Sequence, residues 1–273
     1  MRVFSAANRF GILALSLALL AGCASNSTSD DEQEPDEFAN VAERELYELA
    51  RTALDTNRYP LAIERLEALD TRYPFGQHAE QAQIELVYAY YENRNWEEAR
   101  AAASRFIRLH PDHPQADYAY YLRGLSAWQA GRFSLERLRM IDISKRDLGA
   151  SRDAYNDFRE LIQRYPQSQY APDAQQRIVY LRELLARQEL HVADYYLRRG
   201  AYLAAVERGR WVIEHYPESN ATRDALATMV EGYQGLGMRD RAQEVLAVLR
   251  ENDPNHEQLQ NGRFVPKHLG RDS

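Results

Sequence analysis

One cysteine, Cys23, stands in a chain of 273 residues. A lone thiol excludes an internal disulfide framework. The apolar run from Phe10 to Leu20 is too short to span a bilayer as a helix, which needs roughly 20 such residues. A basic balance is lacking too: 41 Asp and Glu outnumber 34 Lys and Arg for a formal net charge of −7, and no basic stripe of the kind nucleic-acid binding requires is present. Strand-type alternation never persists, no glycine-rich phosphate loop occurs, and no serine sits in a nucleophile elbow. These absences leave an acidic chain with no legible reaction chemistry and no cofactor motif. It reads as a protein that binds and does not catalyse.

The amino terminus is a targeting segment. Arg2 and Arg9 form a basic start, an apolar run follows, and Leu20-Ala21-Gly22-Cys23 closes it with small residues before the cysteine. The pattern resembles the bacterial lipobox. It implies cleavage after residue 22, then a thioether-linked diacylglycerol and an acylated amino group on Cys23. Several acyl chains on one residue anchor stably, at about 0.8 kcal/mol per buried methylene. Ala24 stands where enterobacterial lipoproteins retained at the inner membrane carry aspartate. By that resemblance the protein belongs on the periplasmic face of the outer membrane. Residues 23–40 are rich in Asp and Glu and lack apolar periodicity, so they read as a flexible tether. Loss of Arg2 and Arg9 with the signal takes the formal charge to −9.

What the chain has is a spaced set of prolines. Pro74, Pro111, Pro166, Pro217 and Pro254 each lie twelve residues after an alanine: Ala62, Ala99, Ala154, Ala205 and Ala242. Twelve residues before four of those alanines lie Ala50, Val87, Ala193 and Val230. Bulky Leu66, Phe158 and Leu246 follow the alanines by four. This is the tetratricopeptide pattern, a helix-turn-helix unit of 34 residues. Small residues let paired helices approach, large ones fill the seam between units, and proline stops the second helix because it lacks an N–H and its ring clashes with the preceding turn. The expected fold is an all-α tetratricopeptide-repeat solenoid of five units over residues 41–254. Two insertions enlarge it, one near Phe133 to Ala150 and one from Tyr170 to Leu190, the latter an added or lengthened helix. Asn220 and Thr222 are candidate caps for the last unit's first helix. Residues 255–273 match no repeat element and are expected to form a flexible tail.

His110 and His113, with Asp112 and Asp117 close by, invite a metal reading, but they fall in a repeat-closing turn and lack a defined third and fourth ligand. Tyrosine is abundant, with 18 in the chain and the run Tyr-Ala-Tyr-Tyr at both 88–91 and 118–121. Both runs fall on first helices of units, which line the concave face of such a solenoid. Two roles are open for them: packing between helices, or a groove that grips an extended peptide with rings and hydroxyls. Arg208, three residues past Ala205, sits where a second helix can reach a neighbour or a partner.

Several stretches are not demanded by the repeat: LEALDTRYPFG (66–76), RFIRLHPDHPQADYAYYLRG (105–124), DISKRD (142–147), NDFRELIQRYPQSQYAPDA (156–174), VADYYLRRGAY (192–202) and ATRDAL (221–226). Together with the lipobox they resemble the BamD family, the tetratricopeptide lipoproteins of the outer-membrane β-barrel assembly machinery. The resemblance implies a non-enzymatic subunit that binds the POTRA domains of BamA, in many bacteria carries BamC and BamE, and contacts the C-terminal β-signal of unfolded barrel proteins. Carried over by position, Arg72, Tyr73 and Phe75 belong to the substrate side and Arg208 to the BamA side. The groove argument adds Tyr90, Tyr120 and Arg123 to the substrate side. A β-signal ends in an aromatic residue and a carboxylate: Arg72 suits the carboxylate through paired hydrogen bonds, and Tyr73 and Phe75 suit the ring. The alternative is another outer-membrane repeat lipoprotein, such as a secretin pilotin or a peptidoglycan-hydrolase adaptor, which would keep spacing near 34 without the insertions.

Overall fold

The computed structural model describes residue 38 and residues 41–131 and 147–269. Cys23, the signal segment, most of the tether and most of the first insertion lie outside the described residues. Ten helices follow in order: α1 (Glu43–Asp55), α2 (Tyr59–Arg72), α3 (Ala79–Glu92), α4 (Trp96–Leu109), α5 (Ala116–Ala130), α6 (Gly149–Arg164), α7 (Ala171–Arg198), α8 (Tyr202–His215), α9 (Thr222–Gly235) and α10 (Arg239–Asn252). They pair as five antiparallel helix-turn-helix units, each packed on the next. The fold is the all-α tetratricopeptide solenoid that the proline spacing predicts.

The packing follows the small-residue register. Ala50, Ala62, Val87, Ala99, Ala154, Ala193, Ala205, Val230 and Ala242 are all buried. At such contacts the backbones come close: a Cβ on Gly232 of α9 would run into Val206 of α8, and one on Gly124 of α5 into the Phe158 ring of α6. Leu66 and Phe158 are fully buried, Phe158 against Gly124 and Tyr121 of α5. Leu246, in the last unit, has no following unit to cover it and stays half-buried.

Two turns recur in register. Inside a unit the helices are joined through one left-handed residue seventeen positions before the closing proline: Asn57 (φ 55°), Arg94 (φ 65°), Gly200 (φ 71°) and Gly237 (φ 71°). Between units, the residue ahead of each closing proline leaves the helical region because the proline ring forbids it; Tyr73 has φ −124° and ψ 51°, and Tyr165 has φ −130° and ψ 64°. A fixed ladder of backbone bonds follows. Tyr73 N donates to Leu69 O, Gly76 N to Tyr73 O, and Ala79 N to Gly76 O. The same three bonds recur from His110, Tyr165, Tyr216 and Asp253. The aromatic-proline pair is therefore a stop with built-in geometry.

An acidic side chain from each unit's first helix reaches that unit's closing turn. Glu43 accepts from His78 N at 2.7 Å, Asp117 from the Ser168 hydroxyl at 2.6 Å, and Glu183 from Asn220 N at 2.9 Å. Glu80 faces His113 at 3.8 Å and Asp224 faces His256 at 3.0 Å. The second insertion lengthens α7 to 28 residues, about 42 Å at 1.5 Å per residue. Ser219, not Asn220 or Thr222, serves the start of α9: its hydroxyl accepts Ala221 N at 3.1 Å.

The expectation of a flexible tail fails for residues 255–269. Leu259–Gln260 (β1) pairs antiparallel with Arg263–Phe264 (β2), and the connecting Asn261 and Gly262 have φ 50° and 75°, the signature of a type I′ hairpin turn. His256 and Gln258 are buried. Glu231 of α9, 1% exposed, then accepts Lys267 N at 2.9 Å, His268 N at 2.6 Å and Leu269 N at 3.0 Å. A buried carboxylate requires donors, and the returning chain supplies them. Among the described residues no helix is long and apolar enough to cross a membrane.

Candidate functional site

The stop between units one and two presents the residues expected on the substrate side. Arg72 ends α2, and Tyr73 is its C-cap; both are half-buried. Phe75 is 99% exposed, a whole phenyl ring held in water by a turn that its backbone bonds make rigid. Gly76 is required there: a Cβ would collide with the Glu43 carboxylate, which occupies that space to accept His78 N. The His78 ring in turn stacks on Tyr47 at 4.5 Å. Among the described residues Phe75 is the most exposed of the large apolar side chains.

Beside this turn lies a cleft of about 480 Å³ lined by Glu67, Asp70, Thr71, Tyr90, Glu98 and Arg105, among others. The Tyr90 hydroxyl donates to Glu67, and burial, then that bond, pushes its ionisation up. Asp70 receives Arg105 and the Gln83 amide at 2.7 Å. Tyr90 thus lines a cleft that Thr71, next to Arg72 in sequence, also lines, while Arg72, Tyr73 and Phe75 are not among its lining residues. Glu67, Asp70 and Arg105 were missed by the sequence reading; their cross-unit pairing carries no local sequence signal.

Tyr120 and Arg123 are not among the residues that line that cleft. Tyr120 is 4% exposed, with the Arg123 guanidinium 4.9 Å and the Arg164 guanidinium 5.7 Å from its ring centre, and Tyr165 at 5.6 Å. Arg123 pairs with Asp157 at 2.9 Å and Glu160 at 2.6 Å. Tyr120 is buried and Arg123 half-buried, and the Arg123 ion pairs hold α5 to α6. Burial raises Asp157 above the usual carboxylate range despite Arg123 and Arg100. Glu160 is also opposed by burial, yet the Arg123 and Arg164 hydrogen bonds hold it below that range.

The remaining tyrosines of the two runs are half-buried. Tyr59 meets Tyr88 edge-on at 6.2 Å, Tyr118 lies 5.3 Å from Tyr170, and Tyr121 stacks on Tyr170 at 4.7 Å. Tyr121 also donates to Asp173 at 2.7 Å; burial and then that bond push its phenol up to about 12. Packing between units accounts for these contacts.

Arg208 on α8 donates to Glu189 of α7 at 2.8 Å. Glu189 is buried, and Arg152 of α6 lies 3.9 Å from it. The Glu189 hydrogen bond raises the Arg208 pKa, while 43% of its side chain remains exposed. His110 Nε2 donates to Gln83 Oε1 at 2.8 Å, and the ring lies 3.5 Å from Glu80. Among the described residues no group of three or more potential ligands is placed to hold a metal ion.

The arrangement is that of a helical-repeat docking scaffold with polar and aromatic contact surfaces. The family model described as YfiO, outer membrane lipoprotein, matches residues 39–249. A Vibrio cholerae protein named outer membrane protein assembly factor BamD is 41% identical over 89% of this chain and 96% of that protein. The BamD protein of Neisseria meningitidis serogroup A is 40% identical over 89% of this chain and 91% of its own length. That of Xylella fastidiosa strain Temecula1 is 36% identical over 97% of this chain and 88% of its own. The chain belongs to the BamD family.

Proposed function

We propose that this protein is a non-catalytic subunit of the outer-membrane β-barrel assembly machinery, anchored by lipid on Cys23 to the periplasmic face of the outer membrane. It binds the C-terminal strand of unfolded barrel proteins at its amino-terminal units and the POTRA domains of BamA at its carboxy-terminal units; BamC and BamE are further partners. The observation that carries the substrate reading is the fully exposed Phe75 on a braced turn, one residue pair from Arg72. An aromatic side chain ahead of a free carboxylate would stack on Phe75 and Tyr73 while the carboxylate meets Arg72 in paired hydrogen bonds. Tyr90 extends the contact along the adjoining cleft. Arg208 supports the second reading, because its guanidinium is paired with Glu189 while 43% of its side chain stays exposed. Lipid anchoring raises the effective concentration of the scaffold near a membrane-embedded partner.

The substrate reading is tested with a labelled peptide of ten residues ending in phenylalanine and a free carboxylate. Phe75→Ser is expected to weaken binding at least tenfold with helix content unchanged. An amidated C-terminus should weaken it similarly. Equal binding by both chains would remove the turn from the substrate site.

A further inference from the structure

The carboxy-terminal end of the solenoid holds a second contact surface that shares no residue with the Arg72–Phe75 turn or with Arg208. A cleft of about 730 Å³ runs between α7 and α9, lined by Arg187, Leu190, Asp194, Glu231, Gln258 and Lys267, among others. Along one edge lies the chain's own segment 265–269. Three successive amides of that segment converge on the single buried carboxylate of Glu231, the arrangement by which backbone turns capture anions, here with the anion supplied by the groove. The His268 ring reaches across to Asp194 of α7 at 2.7 Å. Gln258 adds a donor to Glu231 at 3.3 Å.

We propose that this groove is a peptide-binding site, and that residues 265–269 are its occupant in cis. The ligand class is a short polypeptide turn with three successive free backbone N–H groups and an imidazole or cationic side chain at the middle one. Two features separate a replaceable occupant from a structural tie. The cleft beside the segment is unfilled, so a longer ligand gains contacts that residues 265–269 do not make. The segment is also held by polar contacts with little apolar burial: Val265 is 40% exposed, and Lys267 keeps about half of its side chain in solvent while pairing with Glu257. Segments with few buried apolar contacts open locally well below the global stability. When this one lifts, Glu231 is left buried without its amide donors, and a second peptide's amides relieve that penalty.

The probe is a fluorescent peptide of residues 262–271 added in trans to the full chain. A full-chain variant, Lys267→Pro with His268→Pro, deletes two of the three donors and leaves the groove intact. That variant is expected to bind the peptide saturably and at least tenfold more tightly than the unaltered chain, whose cis segment competes at a millimolar-scale effective concentration. Glu231→Gln in the same background should abolish binding. Absence of saturable binding in a variant that keeps its helix content and melting transition overturns the proposal, as does equal affinity for both chains. If the proline variant fails to fold, hydrogen exchange on the unaltered chain decides: excess peptide should speed exchange at the Lys267, His268 and Leu269 amides at least tenfold, and unchanged rates refute the site.

Discussion

Gly76 and Glu43 form a testable pair because each is explained by the other. The Glu43 carboxylate fills the space a Cβ on residue 76 would need, and from there accepts His78 N at 2.7 Å. In Gly76→Ala the glutamate, being the far end of a flexible side chain, swings aside and the amide loses its partner. A hydrogen bond to a charged group contributes about 1.5–3 kcal/mol, and the reduced entropy of the unfolded chain returns about 0.4–1 kcal/mol. The net loss is therefore about 1–2 kcal/mol. Glu43→Ala removes the same bond plus the favourable acidic charge in the first turn of α1, which adds about 0.5 kcal/mol. The double variant should cost no more than Glu43→Ala alone, and less by the entropy gain of about 0.4–1 kcal/mol, since the shared bond can be lost only once. Urea unfolding followed by circular dichroism and tyrosine fluorescence measures all four corners, with coincident transitions required. Additive losses, with no coupling between the two sites, would refute the account of the turn.

Arg94→Gly should stabilise the chain by about 1 kcal/mol, read as a higher urea midpoint, because Arg94 is held at φ 65° where an L side chain is strained and glycine is not. The Tyr121 phenol, protonated in the fold up to about 12, should make stability fall as pH rises from about 10 through 12. The unfolded chain ionises that group first, so its contribution is intact below pH 10, and Tyr121→Phe should flatten the slope over that window. Arg208→Glu places a carboxylate against buried Glu189; it should weaken capture of a BamA POTRA fragment at least tenfold while the helical signal is retained. Cys23→Ser should abolish incorporation of labelled fatty acid, and continued labelling would overturn the anchor.

The repeat was legible because its requirements are local and periodic. A proline stops a helix wherever it falls, and the alanines twelve residues ahead can only be small if two backbones approach there; Ala62 and Ala205 are buried without remainder. Contacts between helices were not legible in that way. Tyr120 and Tyr90 occupy the same place in identical Tyr-Ala-Tyr-Tyr runs, yet Tyr120 is sealed beneath Arg123 and Arg164 and Tyr90 lines an open cleft. The difference lies in which residues the unit's own second helix brings over the ring: Arg164 and Tyr165 at the end of α6 reach Tyr120, and the first insertion separates them from the run in sequence. The closing segment was misread for two reasons. Asn261-Gly262 is a strong hairpin signal that was passed over. The acceptor that orders Lys267 to Leu269 is Glu231, 36 residues away from the first of them, a pairing that no periodicity announces. Phe75 needed no periodicity: an aromatic immediately after a helix-stopping proline has nowhere in the repeat to be buried.

The central claim, that this solenoid receives unfolded barrel proteins at the turn after α2, is tested most directly by a photo-reactive amino acid placed at Phe75 in growing cells. Brief ultraviolet exposure should yield adducts with newly exported β-barrel proteins, and a probe at Arg208 should yield an adduct with BamA instead. Adducts from Phe75 that contain no barrel protein, under conditions where the Arg208 probe labels its partner, would contradict the account.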